Sequence, residues 1–277
     1  MIYIQENNLS FIERSKDSHK GDNGRLLIVG GSESYTGAVA LAGLASLRTG
    51  TDIVRIASPE KVSWTINRMS PDLITVKLKG KSIGIRHLKT ILSLADESDA
   101  VLIGNGIGQT ADTEKFVKRF VKKCSKPLII DADAIKMISL KDIKKCLLTP
   151  HKKELKIFLE NSNIMFKDFV NMDKKIFRVQ KLIRDNVILI KGRVDRIITD
   201  KGIFYNKTGN EGMSKAGTGD VLAGIAAGFA AQGISLVNSA VNAAYINGRI
   251  GDALKSKKGY SFIASDIIDD YKKVFKK

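Results

Sequence analysis

The residues that could do chemistry gather in polar and glycine-rich turns. The richest is Gly209-Asn210-Glu211-Gly212-Met213-Ser214-Lys215-Ala216-Gly217-Thr218-Gly219-Asp220, which leads into a run of small apolar residues over 221–231. Gly212 and Gly217 have Walker A spacing, but Thr218 stands where that loop needs lysine, so a P-loop is excluded. What remains is a glycine turn that can aim backbone N–H groups at an anion. It ends in a carboxylate that the helix dipole favours in its ionised form. The plainer reading is that Asp220 only satisfies free helix amides. The glycines on both sides of Thr218 favour chemistry.

Five further turns follow short apolar runs. They are Gly30-Gly31-Ser32-Glu33-Ser34-Tyr35-Thr36-Gly37-Ala38, Gly104-Asn105-Gly106-Ile107-Gly108, Asp131-Ala132-Asp133-Ala134, Thr149-Pro150-His151 and Lys191-Gly192. The turn from Gly30 reads either as an anion site at a helix start or as a tight, closely packed turn. The turn from Gly104 matches the start of a dinucleotide fingerprint, but its third glycine would fall on Gln109, which counts against a Rossmann oxidoreductase. His151 alone reads as a polar cap. His19 and His87 are expected at the surface and Trp64 in packing.

Strands are predicted over 26–29, 53–56, 73–76, 100–103, 128–130, 187–190 and 196–198, with another ending at Leu148. Most are unbroken apolar runs, the pattern of strands covered on both faces. Helices are predicted over 37–48, 81–97, 113–124, 152–161, 171–185 and 220–232. This alternation gives an α/β fold with a mostly parallel central sheet and helices on both faces. In such sheets ligands lie beyond the carboxyl ends of the strands, where these turns fall. No linker or repeat divides the chain, so residues 1–277 read as one domain. The stretch 160–175 is the weakest and reads as an irregular helix–loop–helix.

Lys and Arg number 46 against 29 Asp and Glu, a net charge of +17. A basic nucleic-acid-binding protein is the alternative from another class. Aromatic residues are only 6% and are not interleaved with the basic runs, so base-stacking platforms are poorly supplied. The lysines are scattered through predicted helices, as on a solvated surface. The two cysteines, Cys124 and Cys146, suit buried thiols in a reducing compartment. The N-terminal residues lack the apolar core of a signal peptide. The longest apolar stretch, 221–231, falls short of the ~18–20 residues of a membrane span. A cytoplasmic protein with no membrane partner is the expectation.

Ala216-Gly217-Thr218-Gly219-Asp220 resembles the signature of the ribokinase-like superfamily. There the glycine turn holds the transferred phosphoryl group and the aspartate takes the acceptor's proton. More specifically, the chain is similar to the ADP/ATP-dependent NAD(P)H-hydrate dehydratases. The similarity takes in Lys20-Gly21-Asp22-Asn23-Gly24-Arg25, Leu47-Arg48-Thr49-Gly50 and the turns above, in order, from about Lys20 to Gly233. It implies a single-domain ribokinase-like three-layer fold and a metabolite-repair lyase. The S form of hydrated NADH or NADPH (NADHX, NADPHX) would be returned to NADH or NADPH. ADP or ATP, with Mg2+, would phosphorylate the ring hydroxyl, and phosphate would then leave.

The resemblance also implies roles. Ala38, Gly106, His151 and Asp220 would contact the hydrated dinucleotide. Lys191, Gly192, Arg193, Val194 and Asp195, with Asn210, Gly212, Ala216, Gly217, Thr218 and Gly219, would line the nucleotide site. Asp220 would be the base. Asp131 would hold magnesium through water or order the site. A cytoplasmic homotetramer is implied. Relatives often carry an N-terminal epimerase domain, for which this chain is too short. Lys153, Asp195, Glu211 and Ala216 depart from the family pattern. Asp195 and Glu211 add negative charge beside a polyphosphate site. A vitamin-precursor kinase of the same superfamily is the alternative reading.

Overall fold

The computed structural model describes residues 2–165 and 172–274. Ten strands form one sheet: β1 (Ile2–Tyr3), β2 (Arg25–Val29), β3 (Ile53–Pro59), β4 (Ile74–Leu78), β5 (Ala100–Ile103), β6 (Leu128–Ile130), β7 (Cys146–Leu148), β8 (Val187–Ile190), β9 (Asp195–Thr199) and β10 (Gly202–Asn206). Their order across the sheet is β1-β10-β9-β8-β7-β6-β5-β2-β3-β4. The pairings from β8 through β7, β6, β5, β2 and β3 to β4 are all parallel. β9 runs antiparallel to both β8 and β10, and β1 is parallel to β10.

The helices are α1 (Thr36–Arg48), α2 (Glu60–Met69), α3 (Leu88–Asp96), α4 (Ala111–Lys123), α5 (Asp133–Lys136), α6 (Lys152–Asn161), α7 (Met172–Gln180), α8 (Thr218–Ala231), α9 (Leu236–Lys258) and α10 (Ala264–Val274). They cover both faces, as expected from the sequence. Leu26 and Ile28 of β2 join the core beneath α1, α2, α8, α9 and α10, and Leu27 and Val29 join the one beneath α3 to α7. Every residue of β5, β6, β7 and β8 is buried, which is why these strands carry no polar alternation.

The α1–α8 contact sets the position of the richest turn. A Cβ at Gly224 would strike the Ala42 backbone, so the two helix backbones lie almost in contact. Ser46 Oγ donates to Gly224 O at 2.8 Å and Thr51 Oγ1 to Gly228 O at 3.0 Å. The small residues of α8 are there for this close approach, which carries the start of α8 to the carboxyl ends of β2, β5 and β6.

Several elements differ from expectation. β10 and the long α9 carry too little local patterning to stand out: α9 mixes Asn242, Asn247 and Gly248 into its buried side. The short α2 and α10 are amphipathic and add to the helices expected. The helix predicted from 81 begins only at Leu88, after a 3-10 turn over Ile85–His87. His87 is buried, not at the surface: Gly84 N donates to its Nδ1 at 3.1 Å, and burial holds its pKa below the usual value. Trp64 is exposed rather than packed in the core, with Lys77 Nζ 4.2 Å above its ring. Cys146 is buried and Cys124 half-buried, and both are free. Part of the 160–175 stretch lies outside the described residues.

Candidate active site

Asp220 lies in the first turn of α8, the helix that packs beside β5 and β6. The only hydrogen bond to its carboxylate among the described residues comes from across the site, from Asn105 Nδ2 to Oδ1 at 2.7 Å. The same amide nitrogen donates to Asp131 Oδ2 at 2.8 Å. Asp131 Oδ1 accepts from Thr149 Oγ1 at 2.6 Å and from Lys191 Nζ at 3.0 Å. Lys191 Nζ is also 3.9 Å from Glu154 Oε2. One ammonium therefore faces three carboxylates, delivered by the ends of β6 and β8 and the first turns of α6 and α8.

That imbalance sets the proton affinities. Burial, then the negative charge of Asp131, pushes the Asp220 carboxyl up to about 7; Asn105 and Lys191 pull it the other way. Burial works against the Lys191 ammonium, but Asp131 and Glu154 outweigh it and its pKa is raised. Lys191 thus stays charged while Asp220 titrates near neutrality, where a general base works best. Both Asp131 oxygens are engaged by protein donors, which suits a residue that orders the site.

The turn ahead of α8 offers amides. Gly217 has φ +91°, a left-handed conformation that suits glycine, and a Cβ there would lie 2.7 Å from Leu41 Cδ1. Thr218 Oγ1 donates to Met213 O at 2.7 Å and closes the turn. The N–H groups of Gly217, Gly219 and Asp220 find no acceptor among the described residues. A Cβ at Gly219 would sit 3.3 Å from Lys191 Nζ, so the ammonium borders this row of free donors. The Gly30-Gly31 turn differs. Gly30 N donates to Ala57 O at 3.3 Å and Gly31 N to Asn105 O at 2.8 Å. The packed-turn reading holds for these two glycines, and they leave no amide for an anion.

A cleft of about 1430 Å³ opens beside the free amides. His151, Lys191, Gly192, Arg193, Val194, Asp195, Asn210, Thr218 and Gly219 all line it. Gly212, Ala216 and Gly217 belong to the same turn without forming its wall. Ala38 and Gly106 lie together on another side of Asp220: a Cβ at Gly106 would be 3.3 Å from Ala38 Cβ, and Asn105 joins this corner to Asp220. His151 is at once a wall and a cap. Its Nδ1 accepts from Lys153 N and Glu154 N at 3.1 and 3.2 Å, which puts the ring proton on Nε2, 3.3 Å from Glu154 Oε1.

Sequence reasoning did not single out Asn105, Glu154, or the wall supplied by Lys207, Thr208, Ala244, Asn247, Gly248 and Lys255. An asparagine between two glycines at a strand end was a usable signal for Asn105. None existed for the α9 residues, whose contribution depends on how that helix crosses β9 and β10.

A family model described as NAD(P)H-hydrate dehydratase matches residues 26–273. The chain belongs to the NAD(P)H-hydrate dehydratase family. The bifunctional NAD(P)H-hydrate repair enzyme of Methanothermobacter thermautotrophicus is 40% identical over 262 residues, covering 92% of this chain and 50% of that protein. The chain spans about half the length of the curated relatives it matches. Among solved structures, a ribokinase-like superfamily protein from Enterococcus faecalis superposes with a TM-score of 0.82 at 26% identity, covering 98% of this chain and 93% of that one. An ADP/ATP-dependent NAD(P)H-hydrate dehydratase from Bacillus subtilis, co-crystallised with ATP/Mg2+, gives a TM-score of 0.77 at 25% identity and covers 95% and 92%. The fold is ribokinase-like.

The four residues at which the resemblance implies a different pattern have defined surroundings. Lys153 serves His151 through its backbone N–H, and its side chain is exposed. Ala216 is exposed and has no positive φ, so no glycine is needed there. Glu211 is held by Lys255 Nζ at 2.7 Å and by the Tyr260 hydroxyl. The Lys255 bond, then that of Tyr260, pulls its pKa down to about 2. Asp195 accepts from Gly192 N at 2.9 Å and Asn206 Nδ2 at 3.0 Å, and burial raises it to about 6. It remains a negative charge on the cleft wall at neutral pH.

Proposed function

We propose that this chain dehydrates the S form of hydrated NADH or NADPH back to the reduced dinucleotide, using ADP or ATP as phosphoryl donor, and so acts as a carbon–oxygen lyase of metabolite repair. The observation that carries this reading is the Asp220 carboxylate, poised near neutrality beside unpartnered amides and the Lys191 ammonium. The family supplies the substrate class.

The nucleotide lies in the cleft, with the cations of Arg193, Lys207, Lys215 and Lys255 on its walls. Its terminal phosphoryl group meets the N–H groups of Gly217, Gly219 and Asp220. Lys191 neutralises charge that builds on the phosphoryl oxygens. The hydrated ring enters from the Ala38–Gly106 corner. Asp220 takes the proton of its hydroxyl as that oxygen attacks phosphorus and AMP or ADP leaves. Phosphate then departs from the ring carbon and the adjacent proton is lost, which restores the double bond. Hydroxide leaves poorly and phosphate leaves well, which is the reason a nucleotide is consumed.

Magnesium is a test of fit. Among the described residues no group of three or more His, Cys, Asp or Glu side chains could hold a metal ion, and Asp131 is already committed to Thr149, Lys191 and Asn105. A protein cage for the ion is not formed, and no step above passes through it. A magnesium ion would travel with the nucleotide's phosphates.

Hydrated NADH supplied with ADP or ATP and Mg2+ tests the reading. Recovery of reduced-nicotinamide absorbance with one phosphate released per ring supports it. A stable phosphorylated product would point to a kinase instead. The cytoplasmic homotetramer implied by the resemblance belongs to this reading, and light scattering tests the assembly. Among the described residues no helix is long and apolar enough to cross a membrane.

A further inference from the structure

Asn105 is wholly buried in the turn after β5, between Gly104 and Gly106. Its side-chain NH2 group has two hydrogens, and both go to carboxylates: Asp131 Oδ2 at 2.8 Å and Asp220 Oδ1 at 2.7 Å. That favours this orientation of the amide, because a flipped amide would turn its oxygen toward two carboxyl groups. Its Oδ1 is buried and has no partner among the described residues. A residue kept only for packing or turn geometry would satisfy both ends of its amide or carry none. Asn105 instead leaves an acceptor unpaired and places one NH2 group between two acids.

The two acids are not alike. Asp131 is anchored by Thr149 and Lys191 as well. Among the described residues Asp220 has Asn105 alone, at one oxygen. We propose that Asn105 is a positioning residue that ties the Asp220 carboxylate to the anchored Asp131 and leaves Asp220 Oδ2 free for the acceptor's proton. The inference rests on the reading of Asp220 as base. The amide has a further effect. Asp220 is faced by Asp131 from the end of β6, by Glu154 of α6 with its partner His151, and by Lys191 from the end of β8. Two of these groups are carboxylates that resist its ionisation. The Asn105 bond, with Lys191, favours the ionised form.

The test is Asn105→Leu, which keeps the branched shape at a somewhat larger volume and removes the donor. At pH 7 kcat falls on the order of 10²-fold, as for a misplaced catalytic group. The acid limb of the kcat–pH profile moves to higher pH. The KM for nucleotide stays within about twofold, since the free amides and Lys191 are intact. A folded Asn105→Leu protein with parental kcat and an unmoved acid limb would overturn the proposal. Should that variant not fold, the parent protein answers. The Asn105 side-chain amide proton resonances shift with the Asp220 titration and lose that response in Asp220→Asn; resonances indifferent to pH in the parent would overturn it equally. Asp220→Asn at parental turnover would instead sink the base reading. An inactive Asp220→Asn beside a fully active Asn105→Leu would sink this inference alone.

Discussion

Two turns in this molecule resemble each other in sequence and do opposite work. Gly30-Gly31 and Gly217-Thr218-Gly219 each precede a helix of small residues, and the two helices, α1 and α8, pack against each other. At Gly30 and Gly31, carbonyls of Ala57 and Asn105 take both amides, and neighbouring atoms fill the space a Cβ would need. At the Gly217 turn, the amides stay open beside an ammonium and a carboxylate near neutrality. The difference lies in what stands opposite the amides, a carbonyl or a cleft. Glycine content alone does not distinguish an anion cradle from a tight turn.

The strongest way to break this contrast is Asp220→Asn. Turnover falls on the order of 10²–10⁴-fold, with nucleotide affinity by calorimetry nearly unchanged. Asp220 has a folded pKa of about 7, above its ordinary 3.8, so folding favours its protonated form and the group costs stability as pH rises through that window. The Asn variant therefore melts a few degrees higher than the parent at pH 8, and the gap narrows toward pH 5. In the parent, kcat rises with pH through about 7 on its acid side.

Gly219→Ala sharpens the contrast from the other side. Its methyl sits 3.3 Å from Lys191 Nζ and shields the cradle, so kcat/KM drops by roughly 10-fold. Stability stays level or improves, because alanine suits a helix better than glycine. Gly31→Ala shows the reverse pattern. That residue has φ +80°, and a Cβ would lie 2.9 Å from both Ser58 Oγ and Val62 Cγ1. Denaturant melts reveal a loss of about 1–3 kcal/mol, with nucleotide affinity of the folded protein intact. The smallest effect is expected at the cleft rim. Glu211→Gln frees Lys255 and removes one negative charge, so nucleotide KM falls about two- to threefold at low salt and the gain fades as salt is added.

Much of the sheet was legible because buried parallel strands are written as unbroken apolar runs, as in Leu26 to Val29 and Ala100 to Ile103. The turns at their ends were legible because glycines and acids interrupt those runs. β10 escaped because Gly202 to Asn206 mixes polar and aromatic residues beside a sheet edge. His87 misled because a histidine buried by accepting a neighbouring amide is written, in sequence, like any surface histidine. At the site, Asp220, Lys191 and His151 could be read from motif order, whereas the Asn105 bridge spans 115 positions and exists only once β5 and α8 are side by side. The α9 wall has the same cause: side chains reach the cleft from a helix whose sequence says nothing about a ligand.

The most direct measurement is a crystal structure of the protein with a bound nucleotide and Mg2+. The account predicts the terminal phosphate within hydrogen-bond reach of the Gly217, Gly219 and Asp220 N–H groups, with Lys191 Nζ alongside. A terminal phosphate seated on the Gly30-Gly31 turn, or bound far from the start of α8, would contradict it.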